Sequence, residues 1–299
     1  MTINVCIIGY GSIGKRHYEI LLNYFKKNQI YIITKQEKIF NSYKNINALK
    51  FILPKYVIIC NETSKHYRTI NYIERNFSNM MILVEKPLFV NLSRFKPKKN
   101  SFYVGYNMRF NPIIKYLKKY LKNKKIYSVN VICGSYLPDW RPKRNYKTIY
   151  SSIKTLGGGV LLDLSHELDY VKWIFGDYKL KYSFSKKISD LKINTEDHAD
   201  IMLKTDKNIH INISLNYYSR KSIRYIVVNG FNFSLFVNLI EKEIEFNSNK
   251  ISRTKKFSFD RNQSYFFQIK SFLTNRFNLC TYDEALFLLK KIDEIKKFK

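Results

Sequence analysis

Cysteine is scarce: the 299-residue chain has four, and Cys6, Cys60, Cys133 and Cys280 stand far apart. None lies in a Cys-x-x-Cys pair or a Cys/His cluster, which argues against a zinc site, a redox dithiol and a disulfide scaffold. They read as small apolar core residues in a reducing compartment, and no metal is expected. Acids are few as well, with 23 Asp and Glu against 53 Lys and Arg, a formal charge of +30. No uncharged run is apolar enough to span a bilayer, because the longest, residues 225–240, is broken by Asn229-Gly230 and studded with Asn and Ser. No charged segment followed by an apolar core opens the chain, so no secretory leader is read and a cytoplasmic protein is expected. No repeat or low-complexity linker stands out.

The basic residues run from end to end, alongside much Asn, Ile, Tyr and Phe. The charge therefore reads as compositional drift, and neither a nucleic-acid nor a membrane partner is expected. A polyanion-binding protein is an alternative, which steep salt dependence of nucleic-acid retention would reveal. An apolar content of 45% is enough to fill the cores of two ordinary domains.

The most informative stretch is Val5-Cys6-Ile7-Ile8-Gly9-Tyr10-Gly11-Ser12-Ile13-Gly14. A β-branched apolar run precedes the spacing Gly9-x-Gly11-x-x-Gly14, and a helical repeat with Tyr18, Ile20 and Leu21 follows it. Strand, tight turn and helix is the context of a dinucleotide fingerprint. Gly9 would allow the turn, Gly11 the approach of a pyrophosphate, and Gly14 close packing of helix on strand. Ser12 and Ile13 would offer amides at the helix N-terminus. Strands and helices alternate as far as Tyr106, which implies a doubly wound parallel sheet over residues 1–106. The second strand, Ile30–Ile33, ends at Thr34 and Lys35 where an NAD enzyme usually places an acid, a lean toward the 2′-phosphate of NADP, though Glu37 could still reach a ribose. The third strand runs from Val57 to Cys60 and ends at Asn61, a further cofactor-facing candidate. The fourth, Met81–Val84, runs into Glu85-Lys86-Pro87, so Glu85 and Lys86 emerge in the crevice beyond the carboxyl ends of the strands.

Residues 107–299 follow a second plan. A helix from Ile113 to Leu121 and a strand from Ile126 to Ser135 precede a proline-braced loop with Trp140, Arg141 and Arg144. Trp140 could stack on a sugar or base, and the arginines could grip a phosphate. Gly157-Gly158-Gly159 then opens an apolar helical face of Leu161, Leu164, Leu168, Val171 and Phe175, closed by Gly176. Asp163 and His166, three apart, are expected on one side of that helix. From Tyr178 to Phe246 strands succeed one another without helices, with a hairpin turn expected at Asn229-Gly230, so an antiparallel sheet is predicted. Helices are expected over 263–277 and 282–298, the last of which could pack back on the first domain.

Three stretches, Gly9-x-Gly11-x-x-Gly14-x-x-His17, Val84-Glu85-Lys86-Pro87 and Gly157-Gly158-Gly159 with Asp163 and His166, together resemble the glucose-fructose oxidoreductase, inositol dehydrogenase and MocA (Gfo/Idh/MocA) family. The 104–110 stretch with Asn107 and Arg109, and Thr195–Ile201, look like that family's recurring patterns. The resemblance implies a Rossmann domain, an α+β domain with an open, mostly antiparallel sheet, a cis Lys86-Pro87 peptide, and NAD or NADP as cofactor. It implies a homo-oligomer, dimer or tetramer, formed through that sheet. By the same resemblance His166 is the general base, Lys86 holds the reacting oxygen, and Asp163 orients the substrate or the imidazole; Asn107 and Arg109 become candidate substrate ligands. Two departures stand out: relatives place the Asp and His four apart, and the chain between Pro87 and Phe102 is too short for the helix usual there. The Leu137–Pro142 loop looks like a subgroup associated with bacterial surface-glycan sugars. The function implied is hydride transfer between nicotinamide and a secondary alcohol or ketone of a sugar or nucleotide-sugar. A dinucleotide-binding regulator that keeps the fold without the chemistry is another reading.

Overall fold

A computed structural model describes residues 3–249 and 252–298. They fall into two compact units, Met1–Phe110 with Arg261–Leu286 and Asn111–Asp260 with Phe287–Lys299.

In the first unit β1 (Val5–Ile8), buried at every position, leads through the glycine turn into α1 (Ser12–Leu21). β2 (Ile30–Ile33) follows and then β3 (Ser42–Tyr43), a two-residue strand too short to show in the sequence pattern. After α2 (Leu49–Ile52) come β4 (Tyr56–Ile59), α3 (Thr63–Asn76), β5 (Met81–Val84) and β6 (Ser101–Val104). β1 pairs in parallel with both β2 and β4, and β5 in parallel with β4 and β6. The expected doubly wound sheet is present, and its central strands are apolar throughout because both faces are covered.

Residues 87–100 form no helix, as their short length implied. A carboxylate organises them instead. Glu74 of α3 accepts from the Lys98 amide at 2.5 Å, the Lys99 amide at 2.6 Å and Asn100 Nδ2 at 2.9 Å. Phe89 and Phe95 pack edge-on against Tyr67 at centroid distances of 5.7 and 6.0 Å, so an aromatic cluster covers the segment.

The second unit opens with α4 (Pro112–Leu121), capped by Asn111 Oδ1, and β7 (Ile126–Gly134). The single helix expected from Val160 onward is two: α5 (Val160–Asp163) and α6 (His166–Phe175), separated by a turn at residues 164–165. In an unbroken helix Asp163 and Glu167, four apart, would be two like charges on one buried face. The break sends them to different partners, Tyr217 and Arg224. Leu164, expected on the buried face, is only half-buried at the break.

β8 (Tyr178–Lys186), β9 (His198–Thr205), β10 (His210–Asn216), β11 (Ile223–Gly230), β12 (Phe233–Asn238), β13 (Glu243–Asn247) and β14 (Ser252–Lys256) complete a sheet ordered β14-β13-β12-β11-β7-β10-β9-β8. Every neighbouring pair is antiparallel except β7 with β10. The hairpin turn is not at Asn229-Gly230. Those residues pair with Ser234 and Phe233 inside the ladder, and Phe231-Asn232 makes the turn, with Asn232 at φ +59°. Gly230 serves the Phe233 ring, since a Cβ there would lie 2.2 Å from Cε1.

The chain then returns to the first unit through α7 (Gln263–Leu273) and β15 (Cys280–Thr281), and α8 (Tyr282–Lys297) follows. β15 adds an antiparallel edge to β6, giving the order β15-β6-β5-β4-β1-β2-β3. Phe272 and Ile269 of α7 share a core with Val5, Ile7, Ile58 and Leu83, each full burial worth roughly 1.5–3 kcal/mol. No described helix is long and apolar enough to cross a membrane.

The Glu74 cluster yields a test. Burial acts to raise the Glu74 pKa, but the donors from Lys98, Asn100 and Lys99 outweigh it and hold the carboxyl below its usual range. Its stabilisation is therefore full above about pH 4.5 and lost as pH falls through the lower folded value. Glu74→Ala is expected to cost about 2 kcal/mol at pH 7, read by urea unfolding, with the gap to wild type closing in acid. Equal stability at pH 7 would contradict this role.

Candidate active site

The glycine turn of the first unit is built by close approach. Gly9 has φ +96°, a region that favours glycine, and a Cβ there would lie 2.5 Å from the Asn61 backbone nitrogen. A Cβ on Gly14 would lie 2.2 Å from Gly9 O. Both glycines are thus required by the fold itself. Gly11 differs, because nothing lies within 4 Å of a Cβ placed on it. Gly11 and Ser12 are exposed and Ile13 is half-buried, and no side chain of the described residues caps α1, so its first-turn amides lack an intrahelical partner. Asn61 adds an unexplained polar atom: its Oδ1 is buried with no hydrogen-bond partner among the described residues, while its Nδ2 donates to Thr69 Oγ1 at 2.9 Å. An open Gly11, free helix amides and an orphaned amide oxygen suit a dinucleotide, with the pyrophosphate at the turn.

Beyond β2, Thr34 Oγ1 accepts from the Gln36 amide at 3.2 Å, and Gln36 Nε2 donates to Tyr10 O at 2.9 Å. Lys35 is exposed at this edge. Two strands from β1 in the sheet order, some 10 Å across at ordinary strand spacing, β5 delivers Glu85 and Lys86. The Lys86-Pro87 peptide is cis, as expected. Lys86 is half-buried. Glu85 is buried and accepts from His17 Nε2 at 2.7 Å. His66 of α3 lies with Nε2 3.0 Å from Asn61 O and Nδ1 3.1 Å from both Pro87 O and Leu88 O. Burial depresses the His66 pKa against the pull of those carbonyls, so the ring is neutral near pH 7.

Asn107 and Arg109 are in a short 3-10 turn after β6. Asn107 Nδ2 donates to Ser264 Oγ at 2.8 Å. Arg109, 1% exposed, reaches Glu284 with Nη1 at 3.0 and 3.1 Å and Leu279 O at 3.3 Å. The buried guanidinium is thus engaged by a half-buried carboxylate and a backbone carbonyl.

In the second unit Gly158 and Gly159 bring separate segments together. A Cβ on Gly158 would meet Tyr150 O at 2.3 Å and Ser151 O at 2.4 Å; one on Gly159, at φ +115°, would meet Glu196 Oε1 at 2.3 Å. The Gly159 amide donates to Ser151 O and the Val160 amide to Glu196 O, both at 3.1 Å. Asp163, at the end of α5, is buried and accepts from Tyr217 OH at 2.6 Å. The Asp163 charge, followed by burial, pushes the Tyr150 pKa far up. Burial and then Asp163 do the same to Tyr217. Both phenols therefore remain protonated, and the Tyr217 hydroxyl fixes the carboxylate.

Trp140 packs edge-on against Tyr217 at 5.3 Å and donates from Nε1 to Ser135 Oγ at 2.8 Å. The Arg141 guanidinium lies 5.4 Å from the Tyr150 ring centre. Trp140, Arg141 and Asp163 are thus gathered round two tyrosines, whereas Arg144 is exposed. His166, half-buried, begins α6, not the interior of a continuous helix. Glu167, fully buried, takes Arg224 Nε and Nη2 at 2.7 Å each and ties α6 to β11. Tyr150 and Tyr217 carried no sequence signal among 24 tyrosines, and Glu196 was visible only as part of the Thr195–Ile201 pattern. No group of three or more His, Cys, Asp or Glu among the described residues could hold a metal ion.

Residues 114–231 match the model of the GFO/IDH/MocA C-terminal domain. No curated protein sequence matches the chain. Among solved structures, levoglucosan dehydrogenase in complex with NADH is similar with a TM-score of 0.83 at 15% identity, covering 99% of this chain and 96% of that one. UDP-N-acetylglucosamine 3-dehydrogenase from Acidithiobacillus ferrooxidans gives 0.78 at 13%, covering 99% and 97%. The super-repressor mutant of Gal80p from Saccharomyces cerevisiae gives 0.82 at 14%, covering 99% and 95%. These likenesses establish the class: an α/β chain with a Rossmann-like parallel sheet and a mostly antiparallel eight-stranded sheet. The fold is that of the Gfo/Idh/MocA oxidoreductases.

The glycine geometry separates two kinds of position. Gly14→Ala forces a Cβ onto backbone and is expected to lower the melting temperature by about 5 °C or more, whereas Gly11→Ala is expected to melt within about 2 °C of wild type. Equal losses in a thermal scan would contradict the assignment of Gly11 as an open position.

Proposed function

We propose that this chain is an NAD(P)-dependent oxidoreductase acting on a secondary alcohol, or the matching ketone, of a sugar or nucleotide-sugar, of the kind used to build bacterial surface glycans. The observation that carries the reading is the open Gly11 turn on the same sheet edge as Lys86. Nicotinamide, when bound, supplies the hydride donor or acceptor. Gly11, Ser12 and Ile13 would hold the dinucleotide's pyrophosphate, and Asn61 would be a further residue facing it. Thr34 and Lys35 stand where an NAD enzyme usually places its acid and favour NADP over NAD, with Glu37 the nearby acid that would serve a ribose instead.

Lys86 holds the reacting oxygen and stabilises the charge that develops on it. His166 takes the hydroxyl proton during oxidation and returns it during reduction, work suited to an imidazole near neutral pH. Asp163, fixed by Tyr217, orients the substrate, and Trp140 and Arg141 line the sugar side. The outer face of the eight-stranded sheet exposes Tyr182, Met202, Ile132 and Phe236, and supports assembly into a dimer or tetramer.

A second reading rests on the likeness to Gal80p: a nucleotide-binding regulator without turnover. One experiment separates the two. Absorbance of reduced nicotinamide is followed with NAD and NADP, in both directions, across a panel of sugar phosphates and nucleotide-sugars. Turnover is expected from a preparation whose light-scattering mass is a multiple of the chain, with Lys86→Ala lowering kcat/KM about 10³-fold. Nucleotide binding with no turnover favours the regulator; equal turnover by wild type and Lys86→Ala contradicts the assigned site.

A further inference from the structure

Two buried histidines of the first unit hold the chain on either side of Lys86. On one side Glu85 accepts from His17 Nε2 at 2.7 Å. His17 is fully buried in α1, and its Nδ1 has no hydrogen-bond partner among the described residues. A proton on that Nδ1 would be an unpaired buried donor, so the ring carries its hydrogen on Nε2 and gives it to Glu85. Gly105 closes the opposite flank, since a Cβ there would lie 3.1 Å from the Glu85 carboxyl carbon. On the other side His66 Nδ1 faces the Pro87 and Leu88 carbonyls while Nε2 faces the Asn61 carbonyl, all at 3.0–3.1 Å. A neutral ring has one N–H, and in either tautomer it fills the gap between the end of β4 and the segment after Lys86.

Both rings stand on helices that spring from the turns assigned to the nucleotide. His17 lies three residues beyond Gly14 in α1, and His66 lies five beyond Asn61 in α3. Gly9 in turn is pressed on the Asn61 backbone. The Gly9–Gly14 turn, the Asn61 turn and residues 85–88 are therefore linked through two imidazoles rather than through the strands alone.

We propose that His17 and His66 are positioning residues that set Lys86 in register with a nucleotide seated on the glycine turn. This rests on the reading of Lys86 given above, and the test separates the two. His17→Leu, His66→Leu and Glu85→Gln are made, the last keeping an acceptor for the His17 N–H. NADH and NADPH affinities are read by fluorescence, and hydrogen exchange of the peptide spanning residues 84–92 is followed with and without saturating nucleotide. Turnover is measured in wild-type and Lys86→Ala backgrounds.

Wild type is expected to show nucleotide-dependent protection of residues 84–92. The leucine variants should bind nucleotide within about threefold of wild type yet lose most of that protection. Their kcat should fall about 10- to 100-fold with little change in KM, and the loss should shrink to under about twofold once Lys86 is Ala. Glu85→Gln should retain most of the protection. Absence of nucleotide-dependent protection in wild type, or undiminished protection in the variants, overturns the proposal even should a variant fold poorly. A loss of kcat repeated in full in the Lys86→Ala background also overturns it, because it would mark a general structural defect. If Lys86→Ala alone leaves turnover unchanged, the catalytic reading of Lys86 fails, and the exchange data still judge the coupling.

Discussion

The constraint on which the first unit depends is the contact of Gly9 with Asn61 and of Gly14 with Gly9 at the carboxyl ends of parallel strands. A Cβ at either glycine would sit inside another backbone, so α1 starts where it does only because both side chains are absent. That placement leaves the α1 amides and Gly11 uncovered, and it sets His17 inside the sheet edge beside Glu85. The strand order then carries Lys86 to the same edge. The second unit repeats the device with different partners, as Gly158 and Gly159 admit the Tyr150–Ser151 backbone and Glu196 and thereby seat α5 and Asp163.

The small acid content acquires a meaning in this frame. Of 23 acids, Glu74, Glu85, Asp163, Glu167, Asp169 and Asp197 are buried, and two of them, Glu74 and Asp197, each anchor a segment that lacks regular structure. Asp197, for example, accepts from the Ile188 and Ser189 amides and from Ser189 Oγ. Acids spent inside leave the surface still more basic than the composition suggests. Such a field would attract an anionic coenzyme or phosphorylated sugar whether or not it arose for that purpose.

Much of the architecture was legible because buried parallel strands write themselves as β-branched runs, as in Val5–Ile8 and Tyr56–Ile59. The glycine spacing and the Glu85-Lys86-Pro87 segment were legible for the same local reason. What escaped depends on partners distant in sequence. The break after Asp163 follows from Tyr217 and Arg224 drawing two carboxylates apart, and no helical period encodes that. Gly230 looked like a turn residue, yet it answers to the Phe233 ring across the hairpin. Arg109 meets Glu284, 175 residues away, a pairing that no local pattern announces. Tyr150 and Tyr217 became visible only once Asp163 was placed beside them.

A crystal structure of the chain with reduced nicotinamide nucleotide bound tests the central claim most directly. The account places pyrophosphate oxygens within hydrogen-bond distance of the Ser12 and Ile13 amides, over Gly11, with the nicotinamide ring at the end of β5 beside Lys86. A nucleotide bound away from Gly11, or lying reversed with its adenine beside Lys86, would contradict it.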